Sequence, residues 1–302
     1  MAISRAQLAK ELEPGLNALF GLEYNRYENE HSEIFDEESS DRAFEEEVML
    51  GGFASAPVKS EGGAISFDDA QETYTARYTN ETIALAFSIT EEAIEDNLYD
   101  RLASRYTKAL ARSMAQTKQI KAANVLNNAF STGVHAIGDG AALCSAAHPS
   151  LSGNQSNLLG TAADLNETSL ESMLIDIAGM TDERGLKIAI RGMKLIIPKE
   201  LQFIAERVMN SNLRSGTADN DNNAMKNMGM LPEGATVNHF LTDTDAFFVK
   251  TDAPNGFKYF NRSAIKTAME GDFDTGNMRF KARERYSFGV SDWRGVFGTP
   301  GA

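Results

Sequence analysis

Apolar and polar positions along the chain divide it into stretches with different periods. Ile83, Leu85, Phe87 and Ile89 alternate with smaller residues, as do Tyr74, Ala76 and Tyr78, and a period of two is that of a strand. They lie in "AISFDDAQETYTARYTNETIALAFSIT", which follows "FEEEVMLGGFA" across a tip containing Pro57, Gly62 and Gly63. The two arms predict a hairpin of about 45 residues, and an isolated two-stranded hairpin is marginal in water, so this one needs a partner surface. The period then changes. In "NLYDRLASRYTKALARSMAQTKQIKAANVLNNAF", Leu98, Leu102, Tyr106, Leu110 and Met114 recur every four residues, and Ile120, Val125 and Phe130 extend the stripe. With no Gly or Pro, the spacing predicts a helix over 98–130 about 50 Å long, roughly three times the mean globular helix.

Residues 131–166, rich in Gly, Ser, Ala and Asn, predict a loop. Asp164 or Thr168 is then expected to cap a helix reaching about Met180. "DERGLKIAIRGMKLIIP" predicts a turn and an apolar strand ended by Pro198, and "KELQFIAERVMNS" an amphipathic helix. "GTADNDNNAMKNMG" is polar, low in bulky residues and expected to be mobile. From Ala235 onward "TVNHFLTDTDAFFVKTD", "GFKYFNR" and "MRFKARERYSFGVSDWRGVFG" predict strands. In the last of these Arg279, Lys281, Arg283 and Arg285 share one face, opposite Phe280, Ala282 and Glu284. Residues 1–43 predict a short amphipathic helix and an acidic arm with little to bury by itself, so the arm is disordered or lies on another surface. The class is α+β with discontinuous domains.

Charge narrows the function. The 302 residues carry a net charge of −14, which argues against a general nucleic-acid binder, since gripping phosphates needs Lys and Arg. Between Glu28 and Glu47 ten acidic residues accompany only Arg42, whereas Arg101, Arg105, Lys108, Arg112, Lys118 and Lys121 stand against Asp100 on the long helix. Such runs are ordinarily solvated faces. An acidic arm and a basic helix in one chain also suit contacts between copies. No apolar run approaches the roughly 18 residues of a membrane span. The N-terminus lacks an apolar signal core. The single cysteine precludes an internal disulfide, as suits a protein made in the cytosol.

Candidate chemistry centres on "CSAAHPSLSGNQSNLL", with Cys144 and His148 four apart. A thiol nucleophile needs a base within hydrogen-bond reach and a third group to orient it. Pro149 biases His148 away from helical geometry, so the proximity a helix would supply is lost. Ser145 and Ser152 lack a nucleophile elbow. His31, His135, His148 and His239 show no metal-ligand spacing, and Asp243-x-Asp245 lacks the glycine and terminal glutamate of a calcium loop. No catalytic, cofactor or metal site is expected.

The order of elements, with "AAHPSLSGNQSNLL", "LNETSLESMLIDIAGMTDERGLKI", "LIIPKELQFIAERVMNS" and "RFKARERYSFGVSDWRGVFG", resembles the Hong Kong 97-type major capsid fold of tailed bacteriophages, and within it the Mu-like major head subunit family. Residue-level similarity concentrates in 143–210. The resemblance implies an N-terminal arm over 1–43 and an extended hairpin loop over 44–90 lying across a neighbouring subunit. It implies a peripheral domain over 91–165 with helix 98–130 as its spine, and an axial domain over 166–260. Residues 261–302 would supply the return strands. The implied function is self-assembly as hexamers and pentamers into an icosahedral shell around double-stranded DNA, in the host bacterial cytoplasm. Scaffold, portal and decoration proteins are implied partners, DNA being held without sequence-specific binding. Glu45, Glu46, Glu47, Lys59, Arg77, Arg105, Lys108 and Arg112 are the expected inter-subunit contacts. Removing 1–43, or reversing Arg105, Lys108 and Arg112, is expected to impair assembly more than subunit folding.

The family's large N-terminal scaffolding segment has no counterpart ahead of the arm, so scaffolding is expected from a separate protein or a piece already cleaved off. Some relatives cross-link through a lysine near the loop tip; Lys59 lies near the tip, but lysines at exposed tips are common. An encapsulin-like compartment shell suits the same fold. A soluble enzyme using Cys144 and His148 is the remaining alternative.

Overall fold

The computed structural model describes residues 5–90, 92–93, 99–133, 137–213, 222–272 and 275–302. Two four-stranded sheets and a separate two-stranded ribbon carry its strands. The first sheet joins β1 (Asp36–Ser39), β8 (Phe257–Gly271), β9 (Met278–Val290) and β4 (Glu81–Ile89), in that order. The second joins β10 (Val296–Thr299), β7 (Phe247–Thr251), β5 (Gly192–Ile197) and β6 (Ala235–Val237). β8 and β9 form a long antiparallel ribbon, because "GFKYFNR" continues as a strand to Gly271.

The ribbon, β2 (Phe44–Gly51) paired antiparallel with β3 (Gln71–Thr79), is the hairpin. It is shorter than its periodicity predicts. β4 has the alternation that marks it as a strand, but pairs antiparallel with β9, so the chain leaves the hairpin at Thr79 and enters the sheet at Glu81. Buried Asn80 makes the switch. Its side-chain nitrogen donates to Ser40 Oγ (2.8 Å) and the Arg42 carbonyl (3.0 Å), and its oxygen accepts from Ser287 Oγ (3.1 Å). Residues 52–70 between the arms carry no strand.

Two helices cover one face of the first sheet. Helix α1 (Arg5–Tyr24) packs on α2 (Tyr99–Asn127) and on β8, and α2 packs on β4 and β9. The expected stripe on α2 is only partly the buried one. Leu110 and Met114 are buried, while Tyr106 and Ile120 are exposed. A spacing of four advances about 40° too far per step on a helix of 3.6 residues per turn, so the stripe drifts off the face. Ala103 and Ala111 hold that face instead, small residues that let sheet and α1 approach, while Ala122 and Leu126 enter the main core. Leu98 lies outside the described residues.

Residues 14–43 do not wait for another molecule. Leu16 and Phe20 are buried with Leu110, Met114 and Phe280, and β1 pairs parallel with β8. Ile34 and Phe35 enter the main core, where the Phe35 ring meets Phe257 and Phe288 edge-on at 5.2 and 5.1 Å. Removing 1–43 would therefore open the subunit core itself, so folding as well as assembly is expected to suffer. The arm's acids follow suit: Asp36 pairs with Lys250, Glu38 with Lys258 and Glu33 with Lys194, all of the same chain.

The second sheet builds the main core from Leu195, Ile196, Phe247, Phe248, Val249 and Phe297. Helix α3 (Glu167–Gly179) covers it through Leu170, Met173, Leu174 and Ile177. Its cap is Asn166, neither Asp164 nor Thr168: the Asn166 side chain accepts from Ser169 N (2.8 Å), and Ser169 Oγ accepts from Asn166 N (3.0 Å). Helices α4 (Gln202–Asn210) and α5 (Ala224–Met228) follow, and most of the "GTADNDNN" connection between them lies outside the described residues.

Candidate functional site

The segment that raised a catalytic question buries Cys144, His148 and Asn157 beneath an otherwise largely exposed loop. Cys144 is buried, and desolvation pushes its thiol well above the usual range, so it supplies no thiolate. His148 is fully buried, with Nδ1 2.6 Å from Asp139 Oδ2 and Nε2 3.0 Å from Asn157 Oδ1. Both ring nitrogens are thus taken by groups other than the thiol. The imidazole lies flat on Trp293, 4.5 Å between centroids and 2° from parallel.

Asn157 is at the centre of this cluster. Its Nδ2 faces the carbonyls of Leu143, Val296 and Trp293 at 2.8, 3.0 and 3.1 Å, and its Oδ1 also accepts from Ser145 N at 2.8 Å. One amide so ties the loop to backbone carbonyls of the C-terminal turn 292–296. Gly298 makes the closure possible. It accepts no side chain, because an added Cβ would sit 2.7 Å from the Phe248 ring and 3.0 Å from Cys144 Sγ.

A second buried cluster adjoins it. Arg294, 3% exposed, donates from Nη1 to Glu183 Oε1 (2.9 Å) and Asp292 Oδ1 (3.3 Å), and from Nε to the Thr181 carbonyl (2.8 Å). Its guanidinium carbon lies 4.2 Å from the centre of the Trp293 ring. Burial raises the Asp292 carboxyl, against the pull of Arg294. In both clusters the titratable side chains are buried and bonded to one another or to backbone groups. Among the described residues no group of three or more metal-ligating side chains converges, and no helix is long and apolar enough to cross a membrane.

The hairpin has the opposite character. Val58 and Phe67 are 99% and 94% exposed, and Phe53 and Ile65 also stand in solvent. Its root is held firmly by this chain: Glu47 bonds to Lys258 and Ser291, and Tyr78 to Ser291. Lys258 in turn pairs with Glu38 at 3.0 Å. Farther out, Arg184 donates to the Asp69 carbonyl (2.6 Å) and lies 3.6 Å from Asp68.

The residues expected to meet a neighbour divide accordingly. Glu45 accepts from Ser40 Oγ, Glu46 pairs with Arg77 at 3.7 Å, and Arg77 covers the Phe44 ring at 3.8 Å. Arg112 Nε donates to Glu23 Oε1 at 2.6 Å, which holds the Glu23 carboxyl below its usual range and ties α2 to α1. These positions, with Glu47, are engaged within the chain. Lys59, Arg105 and Lys108 form no ion pair among the described residues. Sequence reasoning missed Asn80, Asp139, Glu183 and Arg294; the one signal was the pair of charges flanking Trp293 inside an apolar ending. His135 lies outside the described residues.

A family model described as phage capsid protein matches residues 73–298. No curated protein matches the chain. Among solved structures, the fold is similar to the capsid of Myoviridae phage XM1, at 13% identity over 89% of each chain with a TM-score of 0.53. It is also similar to the virus-like particle of Pyrococcus furiosus, at 9% identity over 94% of this chain and 97% of that one, TM-score 0.51. The capsid of an empty GTA particle matches at 13% identity over 90% and 89%, TM-score 0.51. At these identities the likeness concerns the fold.

Proposed function

The chain belongs to the phage capsid protein family, a structural role rather than an enzymatic one, and on that premise we propose that it assembles as hexamers and pentamers into an icosahedral shell around double-stranded DNA. The observation that carries the proposal is the hairpin: a ribbon fixed at its root that offers Val58, Phe67, Phe53 and Ile65 to solvent. Exposed apolar side chains grouped on a projecting element mark a surface that is covered in the functional state. Neighbouring copies cover it, each reaching across the next, and heterologous contacts of that type close through symmetry.

In this reading the finer assignments follow the Hong Kong 97-type plan, Mu-like among its members. Residues 1–43 are the arm, 44–79 the extended loop, with β4 joining the sheet, and 91–165 the peripheral domain with α2 as its spine. Residues 166–260 form the axial domain and 261–302 the return strands. Scaffold, portal and decoration proteins are its partners, and the mature shell is part of the virion after assembly in the bacterial cytoplasm. The net charge of −14 suits a container that holds DNA without gripping it. Likeness to the Pyrococcus furiosus particle favours a second reading, a compartment shell enclosing a protein cargo. Electron microscopy of the expressed protein tests both: closed shells or hexameric capsomers support them, and a persistent monomer or dimer refutes them. Nucleic acid or protein inside the purified shells separates the two.

A further inference from the structure

Strand β4 forms one edge of the first sheet: it pairs with β9 on one side and, among the described residues, with no strand on the other. Half of its backbone N–H and C=O groups therefore point away from the sheet. Such an edge is a template for another chain, and folded proteins ordinarily blunt it with charge, proline, a bulge or shortness. The other edges are blunted in these ways. β1 has four residues, three of them Asp36, Glu37 and Glu38, while β6 has three residues and β10 four. β2 carries Glu45, Glu46 and Glu47 and a register shift. β4 has none of these devices. Its nine residues keep unbroken register from Glu81 opposite Tyr286 to Ile89 opposite Met278, without proline, and its one charge, Glu81, stands at the first position. Thr82, Ala84, Leu85, Ala86 and Ser88 are all exposed.

The residues beside the edge select what adds there. On the face turned away from α1 and α2, Thr82, Ala84, Ala86 and Ser88 stand in register with Arg285, Arg283, Lys281 and Arg279 of β9. Arg279 is answered by Asp272 at 2.5 Å. Lys281 and Arg283 are exposed and form no ion pair among the described residues, and the buried Nε of Arg285 has no hydrogen-bond acceptor. Neighbouring strands lie about 4.8 Å apart, so an added strand would run about 9.6 Å from β9, with only the methyl groups of Ala84 and Ala86 between. Carboxylates on it would reach over those methyls to Arg283 and Lys281. On the opposite face β4 offers Ile83, Leu85 and Phe87, of which Leu85 is 46% exposed, so the alternate positions of the added strand would be apolar. Opposite charges and apolar pairs both stabilise neighbouring strands. The β4 of a second copy would bring alanines and further cations instead of carboxylates. We propose that the free edge of β4 takes up, as an added strand, an extended segment of a partner protein in which acidic and apolar side chains alternate. Main-chain bonds would hold the segment and the row of cations would select it.

The probe is a short labelled peptide alternating Glu with Val, added to the full chain at low salt and followed by fluorescence anisotropy and hydrogen exchange. Saturable binding is expected, with amide exchange slowed along β4. Lys281→Ala with Arg283→Ala should weaken binding by about tenfold or more, while circular dichroism and thermal melting show a folded subunit. The same peptide N-methylated at alternate residues keeps its charge but cannot pair, and should also bind at least about tenfold worse. No binding at about 1 mM overturns the proposal. So does equal binding of the N-methylated peptide or of a Lys–Val peptide, or binding that leaves β4 unprotected. Protection of β4 that rises with the concentration of the chain alone overturns it in favour of a second copy. A duplex oligonucleotide that binds the same cations more tightly than the peptide overturns it in favour of DNA. None of these outcomes bears on shell assembly, which microscopy of the wild-type chain reads separately.

Discussion

The loop 143–159 and the hairpin tip 52–70 both lie outside the strands and carry several serines, yet they solve opposite problems. The loop puts polar side chains inside: His148 and Asn157 are fully buried and each is bonded on every side available. The tip puts apolar side chains outside, with Val58 and Phe67 almost wholly in solvent. A buried polar group that lost its partners would cost about 1–3 kcal/mol each, so the loop's contacts belong to the stability of the subunit. The tip's exposed rings contribute nothing to that stability and gain only when another surface covers them. Composition does not separate the two segments; the position of their partners does.

The largest effect should come from the charged cluster beside the loop. Arg294→Met leaves Glu183 and Asp292 buried without their cation, and is expected to lower unfolding free energy by about 3–5 kcal/mol in denaturant titration. A loss under about 1 kcal/mol would mean that solvent reaches the cluster. Next, Asn157→Ala removes the side-chain donor to the carbonyls of Leu143, Trp293 and Val296 and should cost on the order of 3 kcal/mol, loosening the C-terminal turn in hydrogen exchange.

Acid should act on the arm, which belongs with the loop rather than with the tip. Burial pushes His31 down to about 4, so the unfolded chain takes up a proton near 6.5 that the folded one refuses. Stability is therefore expected to fall as pH drops from 6.5 toward 4, measured by denaturant midpoints, and His31→Phe should flatten that slope. Below the ordinary carboxylate value of 4.5, loss of the Glu23–Arg112 pair should add to the decline, since a carboxylate held low stabilises only above its unfolded value.

Cys144→Ser is a smaller perturbation. A buried thiol replaced by a hydroxyl should cost about 1 kcal/mol, with assembly intact, and the native thiol should resist modification until the chain unfolds. Smallest on stability is Phe67→Ser, expected to stay within about 0.5 kcal/mol of the parent while lowering particle yield. A large loss of subunit stability from Phe67→Ser would erase the contrast between the two segments.

Much of this was legible from periodicity. Alternation along β3, β4 and β9, the long helix α2 and the Pro-ended strand β5 stand where the pattern puts them. What period cannot say is which strand a strand pairs with: β4 reads as the hairpin's second arm because nothing local marks Asn80 as the point of departure. The acidic arm reads as unpartnered for a related reason. Its partners Lys194, Lys250 and Lys258 lie more than 150 positions away, and Ile34 and Phe35 are too few to signal a core segment. Pro149 and the spacing of Cys144 and His148 are visible in the sequence, but the reason His148 and Asn157 matter, a stacked Trp293 and backbone carbonyls as distant as Val296, is a fact of tertiary structure.

The account's central claim is that the hairpin tip is completed by another copy while the loop is complete in one. Hydrogen exchange measured on free subunits and on assembled particles tests it directly. Amides of 52–70 should exchange freely in the subunit and become protected in the particle, with 143–159 protected in both. A tip that stays equally unprotected after assembly would contradict the claim.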